Sequence, residues 1–375
     1  MNKKVRPILF SWILLSIAMI NVFTPTKVFS SKENRYLQEL PKVSYKKLIS
    51  GEFGKEFEIY TTDQFVGRNY WISLKTISDL IMLKKDNTRV YFGKEHYLFD
   101  VDKEIEEEQF IKNINVINEF IREINEYNKN ISMTALLIPK KSEILKDKVP
   151  LYAPIINEEI LLEKIKLSLY EELQVLDVID VLNEKSKEDI YYKTDHHWTT
   201  KGAFYTYQYY LEKIGEKPLE EKDFLIKEVS NNFLGTSYRK ANFYLDTPDK
   251  IYSYIPKKEV KYQVTYNHTE KSESLYDEIY LGKTDQYSYF LSGDTSLIEI
   301  ETSIENDKSI VVIKDSFANS LIPFLANHYK NIIVIDPRYF NMKIINYVKE
   351  KEVDEILFVF NIQNFIQEKS FSMVF

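Results

Sequence analysis

The chain has 375 residues, 44% hydrophobic and 14% aromatic, which supplies a core for one large domain, or one plus a smaller appendage, and excludes disorder as the default. A net charge of −7, with acids and bases interspersed, disfavours nucleic-acid binding. With no cysteine in the sequence, disulfides and thiolate metal sites are excluded.

Lys3, Lys4 and Arg6 precede an uncharged apolar run from Ile8 to Phe23. That run is shorter than the roughly 20 residues of a membrane span and longer than the roughly 7–15 of a signal core. Residues 1–30 are therefore expected to be a signal peptide or a signal anchor, with Val28 and Ser30 suiting cleavage after Ser30. Either way the basic end stays in the cytoplasm and the rest lies outside, secreted or held on the outer face of the cytoplasmic membrane.

Residues 31–100 read as an extended and helical region. From Gly51 to Leu83, Phe57, Tyr60, Phe65, Trp71, Leu74, Ile77 and Ile81 recur at mixed three-to-four spacing, which predicts helix. Arg68 there reads as a surface or capping arginine. Val90 to Phe99 predicts a short strand pair around Gly93. Residues 101–375 are expected to form the catalytic domain. Its first helix, Val101 to Asn128, carries the stripe Ile114, Ile117, Ile121 and Ile124, with the acids 104–108 solvated near its positive end. Strand Ser132 to Ile138, a helix from Asn157 to Leu173 and strand Val175 to Val181 follow. This alternation predicts α/β architecture with a parallel sheet and helices on both faces.

At Lys193-Thr194-Asp195-His196-His197-Trp198-Thr199-Thr200 an acid and two of only 5 histidines stand together. A carboxylate that orients an imidazole makes a general base. In extended backbone residues i and i+2 share a side, so Asp195 is expected to pair with His197 and not with His196. Thr199 or Thr200 would cap a helix from Lys201 to about Ile214. His96, His268 and His328 are scattered, and no metal-ligand spacing is present, so no metal is expected.

About residues 216–307 form a β-rich insertion of short alternating segments, 252–254, 260–266, 278–281 and 288–291. The α/β pattern then resumes with strands at Ile310 to Ile313, Ile332 to Ile335 and Ile356 to Phe360. Ser316 follows the first of these and precedes an expected helix, Ala318 to His328. A strand's C-terminal end is where parallel α/β sheets hold ligands. Ser316 is thus the candidate nucleophile, although it or Asp315 could equally serve as a helix cap.

The run Asp195-His196-His197-Trp198, followed by Ile313-Lys314-Asp315-Ser316-Phe317-Ala318-Asn319, resembles the DHHW family of extracytoplasmic proteins. That family is similar to the SGNH-hydrolase-like alginate O-acetylation proteins, whose pattern is Asp-x-His-Trp and a later Asp-Ser-Phe. The likeness extends through Glu33-Asn34-Arg35, Asp63-Gln64-Phe65, Gly67-Arg68 and Asp336-Pro337-Arg338-Tyr339. It implies an SGNH-hydrolase-like three-layer α/β/α fold with Asp195, His197 and Ser316 as a catalytic triad. The acid–histidine pair precedes the serine, the order of the alginate-type branch. Asn361 would be an oxyanion donor beside the Ser316 N–H, and Arg338 and Tyr339 would line the substrate site or else serve in structural pairing with Asp336. The implied activity is O-acyl, most simply O-acetyl, transfer to a cell-surface or secreted polysaccharide. No cofactor is implied, and the acyl donor would be a membrane-bound acyltransferase partner. An esterase using the same triad, and a non-catalytic polysaccharide-binding or scaffold component, are the alternatives.

Overall fold

The structure, a computed structural model, describes residues 5–30, 35–242 and 247–375. Glu33 and Asn34 of the family-like run, and Ser31 after the expected cleavage point, lie outside the described residues. The chain divides into a small unit, Met1–Asn87 with Tyr238–Tyr244, and a large unit, Thr88–Ser237 with Leu245–Phe375.

In the small unit the apolar N-terminal run is helix α1, Val5–Phe23, with no buried residue. By length and composition α1 could cross a membrane. The expected helix over 51–83 is two helices, α2 (Glu52–Asp63) and α3 (Arg68–Ile81). The break falls at Gly67, whose φ of 67° is left-handed and suits a residue without Cβ. Apolar spacing is blind to such a corner, because both halves keep the same period. Arg68 opens α3 with Nε 3.8 Å from Asp63.

The large unit is built on one sheet. Helix α4, Glu107–Tyr127, buries Ile114, Ile117, Ile121 and Ile124 as the spacing predicts. Its start at Glu107 leaves 104–106 outside, but Glu107 and Glu108 still occupy the first turn, where the helix dipole favours them. Strand β1 (Ser132–Ile138), helix α5 (Glu158–Ser168) and strand β2 (Leu173–Asp177) follow. After β2 the residues 179–181, expected to belong to the strand, open a short helix, Ile179–Glu184. Helix α6, Thr200–Lys213, is capped by Thr199 Oγ1, which accepts the Gly202 N–H at 3.3 Å.

The insertion supplies strands β3 (Phe224–Phe233), β4 (Asp249–Pro256), β5 (Tyr262–Tyr266), β6 (Glu270–Ser272) and β7 (Leu297–Thr302). The segments 278–281 and 288–291 are not strands. Residues 278–282 and 286–289 form 3₁₀ turns, a difference that aromatic and β-branched content alone could not reveal. The chain then gives β8 (Ser309–Lys314), β9 (Asn331–Ile335), α7 (Ile344–Lys351), β10 (Glu355–Asn361) and α8 (Ile362–Gln367).

The central sheet has eight strands in the order β6-β5-β7-β9-β8-β10-β1-β2. The last five are mutually parallel, and the insertion adds β7, β5 and β6 to one edge in antiparallel pairing. Part of the insertion is therefore sheet, and only β3 and β4 pair apart from it. β8, buried along its whole length, carries Ile310 to Ile313 as a continuous apolar run, as a strand covered on both faces requires. Helix α4 packs with α7 and α8, and α6 with the short helices 179–184 and 322–325, so two helix groups flank the sheet.

A buried carboxyl sits under the first crossover. Glu158, 1% exposed, accepts the Lys140 N–H at 2.7 Å. Burial raises its pKa from 4.5 to about 7, against the opposing pull of Lys140. A carboxyl raised on folding binds its proton more tightly in the native state. Its contribution is full below about pH 4.5 and is lost as pH rises through about 7, on the order of 3 kcal/mol in all. Glu158→Gln is expected to remove that loss, seen as a flatter melting temperature between pH 5 and about 8 than in the wild type. An unchanged pH slope would show that Glu158 stays ionised in the fold.

Candidate active site

Four parallel strands end at one edge of the sheet and deliver the site. β1 leads into Lys140 and Lys141, β8 into Asp315 and Ser316, β9 into Asp336 and Arg338, and β10 ends at Asn361. The fifth contribution is the loop between Tyr191 and Trp198, which are joined by an antiparallel bridge.

Within that loop the backbone bends and is not extended. Asp195 and His197 still meet, through a different device. Asp195 Oδ1 accepts both the His197 N–H at 3.0 Å and Nδ1 at 2.6 Å, an Asx turn that carries the imidazole onto the carboxylate. Oδ2 accepts the Thr236 N–H at 2.7 Å and Oγ1 at 3.0 Å. Gly235 lets this segment close in, since a Cβ there would collide with the Asp195 carboxylate. Burial alone would raise the Asp195 pKa. The two adjacent imidazoles, the His197 hydrogen bond and the Thr236 amide outweigh it and hold the carboxyl well below its ordinary range.

The other face of His197 meets the second motif. His197 Nε2 lies 2.8 Å from Ser316 Oγ, across 119 residues of sequence. His196 does not reach the serine: its Nδ1 pairs with Thr236 Oγ1 at 2.5 Å, and its ring is one-third exposed beside His197. Asp195, His196 and His197 have ligand atoms close enough together for a metal ion. In the structure His197 gives Nδ1 to Asp195 and Nε2 to Ser316, and His196 Nδ1 pairs with Thr236 Oγ1.

The competition for the cap after β8 goes to Asp315. Its Oδ1 accepts the Phe317 N–H at 2.9 Å, and its Oδ2 accepts the Asn361 N–H at 2.9 Å and Asn364 Nδ2 at 2.7 Å. Ser316 is thereby left half-buried, with Oγ on His197 and an N–H that has no partner among the described residues. The expected helix Ala318 to His328 is instead a 3₁₀ turn, Ser316–Ser320, and a short helix, Ile322–Leu325.

Several neighbours carry no signature that sequence reasoning could isolate. Tyr287, from the insertion, stacks on the His197 ring at 3.9 Å and 5°, and its hydroxyl donates to the Ser316 C=O at 3.1 Å. Burial raises its pKa, so it stands there as a neutral donor. Lys141 is 3% exposed and gives Nζ to the carbonyls of Tyr192, Lys193 and Asp195 at 3.2, 3.3 and 2.6 Å. Asp249 holds the opposite side of the loop, accepting from the Lys193 and Thr194 N–H groups at 2.8 and 2.7 Å. Asn319, one 3₁₀ turn after Ser316, donates to Asp294 at 3.2 Å and leaves its own buried Oδ1 unpaired.

Trp198 joins the two motifs directly. Fully buried, it donates Nε1 to the Phe317 C=O and to Ser320 Oγ, both at 3.0 Å. Trp198→Phe keeps most of the volume and takes the indole donor from both acceptors, of which Ser320 Oγ keeps the Tyr287 hydroxyl at 3.2 Å, at about 1–3 kcal/mol. Because the serine turn is then free to shift, turnover is expected to fall on the order of 10²-fold, with a melting curve still cooperative. Full activity in that variant would show that the tryptophan serves packing alone.

Of the three expected substrate-side residues, Asn361 is placed differently, and Arg338 takes the structural pairing with Asp336 that was its alternative. Asn361 caps α8: its Oδ1 accepts from the Gln363 and Asn364 N–H groups, and Nδ2 donates to the Ile138 C=O. It is 1% exposed and its amide faces the fold, so it is a structural cap in place of the expected oxyanion donor. Arg338 grips Asp336 with two nitrogens, at 2.8 and 2.6 Å, and reaches Asp294 at 3.0 Å. The fully buried Lys314 lies 3.1 Å from Asp336 and 3.3 Å from Asp294. Two cations and two anions thus balance under the site. Burial opposes ionisation of Asp294, but Lys314 and Arg338 hold its carboxyl well below the ordinary range. Tyr339 is half-exposed under the Arg338 guanidinium. A cavity of about 590 Å³ beside the loop is lined by Tyr192, Lys193, Thr200, Tyr252 and Tyr254, and not by Ser316 or His197.

The serine, imidazole and carboxylate stand at the C-terminal edge of a mostly parallel sheet in an α/β fold, the architecture expected from the sequence. A family model described as DHHW protein matches residues 166–335, so the resemblance read from the two motifs is borne out. Among solved structures, the chain is similar to a DHHW family protein from Eubacterium siraeum, at 21% identity and TM-score 0.64. That alignment covers 75% of this chain and 92% of the other. It is also similar to Bacillus cereus PatB1 determined with a sulfonyl adduct, at 22% identity and TM-score 0.65, covering 76% and 98%. No curated protein sequence gives a significant match.

Proposed function

We propose that this protein is an extracytoplasmic serine O-acyltransferase, acting most simply with acetyl groups on a cell-surface or secreted polysaccharide. The observation that carries the reading is the continuous relay Asp195–His197–Ser316, with links of 2.6 and 2.8 Å. His197 Nε2 takes the Ser316 proton as Oγ attacks the acyl carbonyl, and returns it to the departing donor oxygen. A sugar hydroxyl then gives its proton to His197 and attacks the acyl-serine, which releases the ester product and free Ser316. The Ser316 N–H is the candidate donor to the oxyanion. Asp195, ionised and fixed by four hydrogen bonds, sets the tautomer and stabilises the imidazolium.

The DHHW match and the PatB1-like fold support this reading, and a sulfonyl adduct on PatB1 is the product expected of a nucleophilic centre in such a protein. Acyl-CoA is not available outside the membrane, so the donor in this reading is a membrane-bound acyltransferase that passes acyl groups across. Water in place of the sugar would make the same apparatus an esterase. The test is incubation of the full chain with an activated acetyl ester, with and without candidate glycans, followed by peptide mass spectrometry. Acetyl on Ser316 that moves to added glycan supports transfer. Release only as free acetate would make the protein an esterase, and no label on Ser316 would reject both.

A further inference from the structure

In the small unit the amphipathicity of α3 is reversed. The residues it turns inward are polar: Thr76 and Asp79 are 1% and 5% exposed. Thr76 Oγ1 donates to the Ala241 C=O at 3.4 Å, Ser73 Oγ to the Asn242 C=O at 2.9 Å, and Asp79 accepts from Lys84 at 2.7 Å. The segment 238–242 thus covers the polar face. On the opposite side Tyr70, Leu74, Ile77 and Ile81, spaced by four, three and four, are 84, 56, 40 and 76% exposed. Trp71 flanks them at 52%. Isolated exposed apolar residues are ordinary, but a contiguous helical stripe needs an occupant.

The occupant is indicated by α1. This helix is apolar and of membrane-spanning length, and none of its residues is buried. Its C-terminal end is built into the small unit beside the start of α3. Asn21 Oδ1 accepts the Val66 N–H at 2.7 Å, two residues before α3 begins. Just after α1, the Gln64 amide brackets Lys27, accepting its N–H and donating to its C=O, both at 2.9 Å. A bilayer crossed by α1 therefore has its surface tied to the end of α3 where Tyr70 and Trp71 stand. Tyr and Trp are the residues that favour the membrane–water interface.

We propose that the α3 stripe lies in the interface of the lipid bilayer that α1 spans, which makes α1 a retained anchor and the small unit a membrane-surface platform. The chain has no cysteine, so single-cysteine variants can be labelled without background. Leu74→Cys, Ile77→Cys and the flanking Lys75→Cys in the full chain would carry a nitroxide, in nanodiscs of phosphatidylcholine and phosphatidylglycerol. Labels at 74 and 77 are expected to collide more with membrane-soluble oxygen than with an aqueous nickel chelate, and the label at 75 the reverse. Equal nickel access at all three positions would overturn the proposal. So would shielding from both reagents with spin–spin broadening, which marks a second copy, or recovery from cells of a chain beginning near Ser31. None of these readouts depends on acyl transfer.

Discussion

Ser316→Ala is expected to lower acetyl-ester turnover by about 10⁴-fold or more and to abolish the acyl adduct, with the fold intact. The size of the effect follows from the relay, in which base and nucleophile act as a unit. Retention of the fold follows from the cap: Asp315, and not Ser316, ties the turn to Phe317, Asn361 and Asn364. Ser316 Oγ has His197 as its hydrogen-bond partner, so its loss leaves no buried donor orphaned in the core. Stability should therefore stay within about 0.5 kcal/mol of the wild type. Peptide mass spectrometry after exposure to a sulfonyl fluoride would check the assignment independently, with modification expected on Ser316 and none in the variant. Adducts on another serine would sink it.

The adjacent histidines should separate by orders of magnitude. His197→Ala removes the link between Asp195 and Ser316, and is expected to cost about as much as the serine itself. Asp195→Asn should cost about 10⁴-fold, because the imidazole remains but its tautomer is no longer set. His196→Ala loses one hydrogen bond to Thr236, from a ring one-third exposed, and should cost less than about tenfold with stability lowered by about 1 kcal/mol. The three variants would be assayed on one acetyl ester under one condition, with circular dichroism as the control on folding. A dead His196→Ala beside an active His197→Ala would overturn the pairing.

Each of the two motifs was legible before the structure, and for a local reason. A strand of β-branched residues announces itself by composition, and an acid two residues from a histidine can pair with it in more than one backbone shape. That latitude is why the Asp195–His197 pairing was read correctly from a wrong premise: the loop is bent, and an Asx turn does what extended backbone was expected to do. The same locality explains the errors. Apolar period could not see the corner at Gly67, and tyrosine-rich alternation around 278–291 could not tell a strand from a 3₁₀ turn. At Asn361 an asparagine past a strand suits either an oxyanion or a helix cap, and only the start of α8 decides between them.

By itself, then, the sequence determined what neighbouring residues settle among themselves: the apolar N-terminal run, the parallel strands, a threonine cap at Thr199 or Thr200 and the acid–histidine pair. Tertiary structure alone decided what meets across the chain. Ser316 comes within 2.8 Å of His197 over 119 residues, Tyr287 stacks on that ring from the insertion, and Lys141 and Asp249 grip the loop from two sides. It also brought Asp294 to Arg338, and turned the polar face of α3 inward. The physical reason is that hydrophobic period and capping are short-range properties of the chain. A hydrogen bond between distant groups depends on strand order and register, which no window of sequence contains.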